Sequence, residues 1–192
     1  MPNARANHLF SPGPKRIPAL HGSGLRVVLT LQYLRRIESI LVERYDDADF
    51  RLSDYFDLIG GTSTGAIIAA GLALGWKVQQ LATLYDDLGD KVFDAKFYRH
   101  GIFAPKFSAK TLKKQLKLHF GDIRLGDESL KTGLMVVLKR IDTNSTWILS
   151  NNPRGKYYNK RKTGIAIPIK EFLLRNVVRA STAAPSYFEP ER

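Results

Sequence analysis

Cysteine is absent from the chain, which excludes disulfides and thiolate metal sites and leaves the redox compartment open. The four histidines, His8, His21, His100 and His119, lack the close spacing of metal ligands, so neither a metal nor another cofactor is expected. Long apolar runs are also missing. The longest, Ala66 to Trp76, falls short of the roughly 17 to 25 residues that a membrane-crossing helix needs. The start, "MPNARANHLFSPGPKR", has no apolar core of a secretory signal, which makes cytoplasmic location, with peripheral membrane contact, the expectation. Acidic residues are scarce, 18 against 30 Lys and Arg, giving a net charge of +12. Internal repeats and low-complexity tracts are absent.

What is present suits one globular domain: 192 residues, 44% hydrophobic and 25% charged. Residues 1–14 read as a mobile tail and 15–192 as the domain. "RIPAL" (16–20) is a short strand candidate, held near a sheet edge by Pro18. Val27, Leu31, Leu34, Ile37 and Leu41 recur at spacings of three and four, predicting an amphipathic helix from Leu25 to about Tyr45. Tyr55 to Ile59 reads as a strand, Thr64 to Leu74 as a small-residue helix ending at Gly75, and Val78 to Leu88 as another helix. "DAKFYRHGIFAPKF" is an irregular aromatic stretch, a candidate flap, followed by a basic helix from Ala109 to Phe120. Strands are expected at 134–138 and 146–149 around the turn "KRIDTNS", then a polar loop, then a helix from Ile169 to Ala180. Alternating strands and helices imply an α/β fold with a mainly parallel sheet.

One junction stands out. Gly61-Thr62-Ser63-Thr64-Gly65 fits the nucleophile-elbow pattern G-x-S-x-G, with an apolar strand before it and a helix after it. Glycines permit close backbone approach at the sharp turn, and the helix N-terminus offers free N–H groups to an oxyanion. A phosphate loop would need a lysine and a hydroxyl where Ala66 and Ile67 stand. A plain Gly/Ser/Thr turn accounts for the composition but not for a second glycine turn upstream, "HGSGLRV" at 21–27. That turn half-matches a dinucleotide fingerprint, with Val27 where the third glycine belongs. Beside an elbow it reads as an oxyanion loop.

From about Lys15 onward the chain resembles the patatin-like phospholipases. "HGSGLR" matches a D-G-G-G-x-R-G oxyanion loop, "YFDLIGGTSTGAIIAAGLA" the elbow, and "VRASTAAPSYFEP" the segment that approaches the second catalytic residue. His21 and Ser23 replace the aspartate and the middle glycine of the first motif, and Val27 its last glycine. The resemblance implies a three-layer α/β/α fold and a serine–aspartate dyad acting on carboxylic esters of phospholipids or other acyl lipids. Ser63 would be the nucleophile, Gly61 and Gly65 the elbow glycines, and Gly22, Ser23, Gly24 and Arg26 the oxyanion hole.

The family base lies in a D-G-[GA] motif, and this sequence has no Asp-Gly dipeptide. The expectation is therefore a C-terminally incomplete member ending before its base, impaired as it stands, because a serine hydroxyl is a weak nucleophile without a proton acceptor. None of Asp86, Asp87, Asp90, Asp94, Asp122, Asp127 or Asp142 reads as that base. The alternative is a catalytically inactive lipid-binding or interaction module of the same fold. Lys110, Lys113, Lys114 and Lys117, with the basic loop 154–162, would suit an anionic membrane surface. Tyr157 and Tyr158 among those cations raise nucleic acid as a rival partner, but no nucleic-acid-binding signature accompanies them. "NST" at Asn144 reads as a turn rather than a glycosylation site.

Overall fold

The computed structural model describes residues 4–22, 27–92, 109–160 and 167–183. Within them an α/β fold is built on a sheet of four strands: β1 (Ala19–Leu20), β2 (Leu58–Thr62), β3 (Gly133–Lys139) and β4 (Thr146–Ser150), in that spatial order. β1, β2 and β3 run parallel, and β4 returns antiparallel to β3. The β3–β4 turn closes through Arg140 N–H to the Ser145 carbonyl at 2.8 Å, with Asn144 in the left-handed region at φ 52°.

The helices divide by how much of their surface is apolar. α2 (Val27–Tyr45) has the expected stripe and buries Val27, Leu31, Leu34 and Leu41. α4 (Thr64–Ala73) is apolar all round, and every residue after Thr64 is buried. It packs on β2 and β3, and α7 (Leu174–Thr182) packs on β3 and on α4. α5 (Val78–Val92) lies against α2, and α6 (Ala109–Phe120) bridges α5 and α7.

Strand parity assigns the faces of the sheet. A Cβ at Gly61 would point into Gly65 and Ala66, so Ile59, Gly61 and their partners Leu134 and Val136 face α4. The opposite face carries Leu58, Gly60, Met135 and Val137. There Leu9 of α1 (Ala4–Phe10) covers Gly133, whose Cβ would stand 2.6 Å from Leu9 Cδ2. Helices thus lie on both faces of the sheet.

Three segments differ from the sequence reading. Residues 4–10, placed in a mobile tail, form α1. Arg5 is buried and donates to the carbonyls of Asp127 (2.8 Å) and Gly126 (3.2 Å). The strand expected at 55–59 runs instead from Leu58 to Thr62. Tyr55 belongs to a short helix, α3 (Leu52–Tyr55), fixed by the Arg51 N–H bond to Asp54 Oδ2 at 2.9 Å. The last helix starts at Leu174 rather than Ile169. Ile169–Glu171 is a 3₁₀ turn, and Phe172 and Leu173 are held extended where Leu125 N–H meets the Phe172 carbonyl and Leu174 N–H meets that of Ile123.

Candidate active site

At the end of β2 the chain turns sharply into α4, and Ser63 sits at the corner as N-cap residue with φ 53° and ψ −127°. A non-glycine residue held there stores strain of order 1 to 3 kcal/mol, and such strain persists only where the surroundings over-determine it. Three glycines supply the close packing. A Cβ at Gly61 would lie 2.4 Å from the Gly65 carbonyl oxygen, and one at Gly65 would lie 2.2 Å from that of Leu20. A Cβ at Gly22 would lie 2.4 Å from Ser63 Cβ. The end of β1, the elbow and the first turn of α4 therefore interlock at a distance that no side chain would allow.

The elbow backbone is held by neutral donors. Ala66 N–H donates to the Ser63 carbonyl at 2.9 Å, and the Tyr85 hydroxyl donates to that of Thr64 at 2.5 Å. Burial pushes the Tyr85 phenol far above its ordinary pKa, so the hydroxyl keeps its proton. Ser63 N–H donates to Ser181 Oγ of α7 at 2.9 Å, and the Ser181 hydroxyl in turn donates to the Val137 carbonyl of β3 at 2.6 Å. Thr64 Oγ1 is buried without a hydrogen-bond partner among the described residues.

The structure brings Ser63, Gly61, Gly65 and Gly22 together at one corner. Ser23, Gly24 and Arg26 lie outside the described residues, as do the aromatic stretch from Phe93 to Phe107 and residues 184–192. Among the described residues no carboxylate or imidazole is hydrogen-bonded to the Ser63 hydroxyl. Asp122 pairs with Arg175, which lowers its pKa, Asp127 accepts from Arg124 N–H, and Asp142 pairs with Arg140. Sequence reasoning missed Ser181 and Tyr85. Ser181 stood inside the quoted "VRASTAAPSYFEP", but nothing local connects it to a residue 118 positions earlier.

Away from the elbow, α6 buries Leu112, Leu116 and Phe120 and leaves Lys110, Lys113, Lys114, Lys117 and Leu118 exposed. Tyr158 is buried at 7% exposure, which removes one of the two tyrosines of the basic loop from any stacking surface. A cavity of about 450 Å³ is lined by Arg35, Glu38, Phe50, Arg51 and Lys77, and none of the elbow residues borders it. No helix among the described residues is long and apolar enough to cross a membrane.

A mainly parallel α/β sheet with G-x-S-x-G at a strand–turn–helix corner defines the class. The patatin-like phospholipase family model matches residues 19–192, and the chain belongs to that family. It is 27% identical over 179 residues to a cGAMP-activated phospholipase of Escherichia coli (strain TW11681), covering 91% of this chain and 48% of the relative. A cGAMP-activated phospholipase of Vibrio cholerae is 28% identical over 185 residues, covering 91% and 49%. Patatin-17 of Solanum cardiophyllum is 27% identical over 180 residues, covering 90% and 42%. The chain thus spans about half the length, or a little less, of these relatives.

Proposed function

We propose that this chain carries the nucleophile and oxyanion elements of a serine lipid acyl hydrolase. In this reading Ser63 Oγ attacks the carbonyl carbon of a carboxylic ester, its proton passes to a base, and the alcohol leaves with a proton. The resulting acyl-enzyme is then hydrolysed by water. The strained corner at Ser63, packed against Gly22 with no side chain between them, is the observation that carries the reading. Ser63 N–H is already bound to Ser181, so oxyanion donors come from the amides of Thr64 and Gly65 at the start of α4 and from the glycine turn after β1.

The general base is unassigned. A nucleophile and oxyanion hole without their base still retain a rate of about 10³ to 10⁴ over water in other hydrolases. Slow turnover by this chain is the corresponding expectation. The substrate is a phospholipid or other acyl lipid, met at an anionic surface by the exposed lysines of α6 with Leu118 beside them. Such binding weakens as salt rises. A nucleic-acid partner is disfavoured by the burial of Tyr158.

The test is covalent labelling of the purified chain by a fluorophosphonate, with hydrolysis of a short p-nitrophenyl ester followed in parallel. Ser63→Ala is expected to abolish both. Labelling that survives in Ser63→Ala would overturn the nucleophile assignment. Vesicle binding in the absence of any labelling would favour the inactive lipid-binding module instead.

A further inference from the structure

The register of β2 against β3 contains one irregularity. Gly133 N–H donates to the Asp57 carbonyl at 3.2 Å, which makes the odd-numbered residues of β3 the bonding partners of β2 in this parallel pair. Continued through the pairing of Thr62 with Val137, the pattern requires Ser63 N–H to reach the Val137 carbonyl next. That bond is not made. The Ser181 hydroxyl stands between the two groups, accepting from Ser63 N–H at 2.9 Å and donating to Val137 O at 2.6 Å. With one proton and both partners fixed, this hydroxyl has a single orientation.

We propose that Ser181 is the positioning residue of the elbow. Its hydroxyl replaces the next rung of the ladder, so that Ser63 leaves the strand for φ 53° while its amide and the Val137 carbonyl both stay satisfied. Direct ladder pairing would keep residue 63 extended in the sheet, and leaving both groups unpaired would destabilise the corner. The inserted hydroxyl also commits the Ser63 amide to α7. Oxyanion donation therefore falls to the amides of Thr64 and Gly65 and to the glycine turn after β1. This role deepens the nucleophile reading and rests on it only for its catalytic consequence, since the backbone clamp exists whatever Ser63 does.

Ser181→Thr and Ser181→Val compare two side chains of nearly equal shape that differ in the hydroxyl, and Ser181→Ala removes it without added bulk. The first readout is hydrogen exchange at the Ser63 amide, with the Ile59 amide of β2 as internal reference. Exchange at Ser63 is expected to be slow in the wild type and in Ser181→Thr, and at least about 10-fold faster in Ser181→Val and Ser181→Ala with Ile59 unchanged. A global loss of structure accelerates both amides, so the ratio remains readable in a destabilised variant. The second readout is the rate of fluorophosphonate labelling, expected to fall about 10- to 100-fold in Ser181→Val and Ser181→Ala and to be retained in Ser181→Thr. Equal Ser63 protection in Ser181→Thr and Ser181→Val overturns the clamp. Protection that follows the hydroxyl in a chain that never labels keeps the clamp and sinks the nucleophile reading.

Discussion

The two ends of β2 are built by opposite means. At its entry, Asp57 gathers polar partners with a charge: its carboxylate accepts from Arg16 N–H at 2.8 Å and from His8 Nδ1 at 3.2 Å. Burial acts to raise the Asp57 pKa, but Arg16 N–H, His8 and Lys15 together outweigh it and hold the carboxyl below its ordinary value. At its exit, among the described residues, there is no charge in the bonds that shape the turn. Glycines set the distances, and the hydroxyls of Tyr85 and Ser181 complete the backbone. A charge can be recruited with loose geometry and responds to pH, whereas neutral hydroxyls and bare backbone hold a corner at fixed distance across the whole working range. Ser63, the proposed nucleophile, sits at the end with the second kind of support.

Three substitutions test that contrast, beginning with the largest expected effect. Gly65→Ala drives a methyl into the Leu20 carbonyl, and a clash with backbone has no flexible side chain to absorb it. Urea denaturation is expected to show a loss of about 3 kcal/mol. Near-neutral behaviour would mean that the β1–elbow contact is slack. Tyr85→Phe leaves the Thr64 carbonyl without its buried donor, for an expected loss of about 2 kcal/mol. That loss is expected to be the same from pH 5 to pH 8, and a pH-dependent deficit would contradict the neutral account of this end.

The smallest effect belongs to Asp57→Asn, about 1 kcal/mol at pH 7. Because the folded-state pKa lies below the unfolded value, the wild-type contribution is fully present above about pH 4 and fades as the pH falls through the folded-state pKa. Stability measured from pH 7 into acid is therefore expected to converge between wild type and Asp57→Asn. A constant gap would show that the carboxylate's charge is not what secures this end.

Features that depend on neighbours in sequence were legible. The stripe of α2, the small residues of α4, Gly75 at φ 82° after it, and the elbow pattern all report local geometry. What escaped was set from a distance. β2 extends through Gly60 and Gly61, residues with little strand preference of their own, as far as Thr62, because β1 and β3 pair with both glycines from either side. α1 looked like a tail because Pro12 and Pro14 follow it and no apolar stripe marks it. Its anchors, Asp127 and Asp57, lie far along the chain. The start of α7 moved to Leu174 because Phe172 and Leu173 pair with the segment around Arg124. Of the elbow, the serine and its glycines could be read, but the hydroxyl that closes the ladder could not.

The separation of 118 positions between Ser63 and Ser181 also bears on how the corner comes into being. Long loops close slowly, and contacts across them form after local ones. While the chain emerges from the ribosome, β2 and α4 are complete well before α7 has been made, so the serine spends that interval without its partner. The corner therefore acquires its contact with Ser181 only once β3 and α7 are both docked.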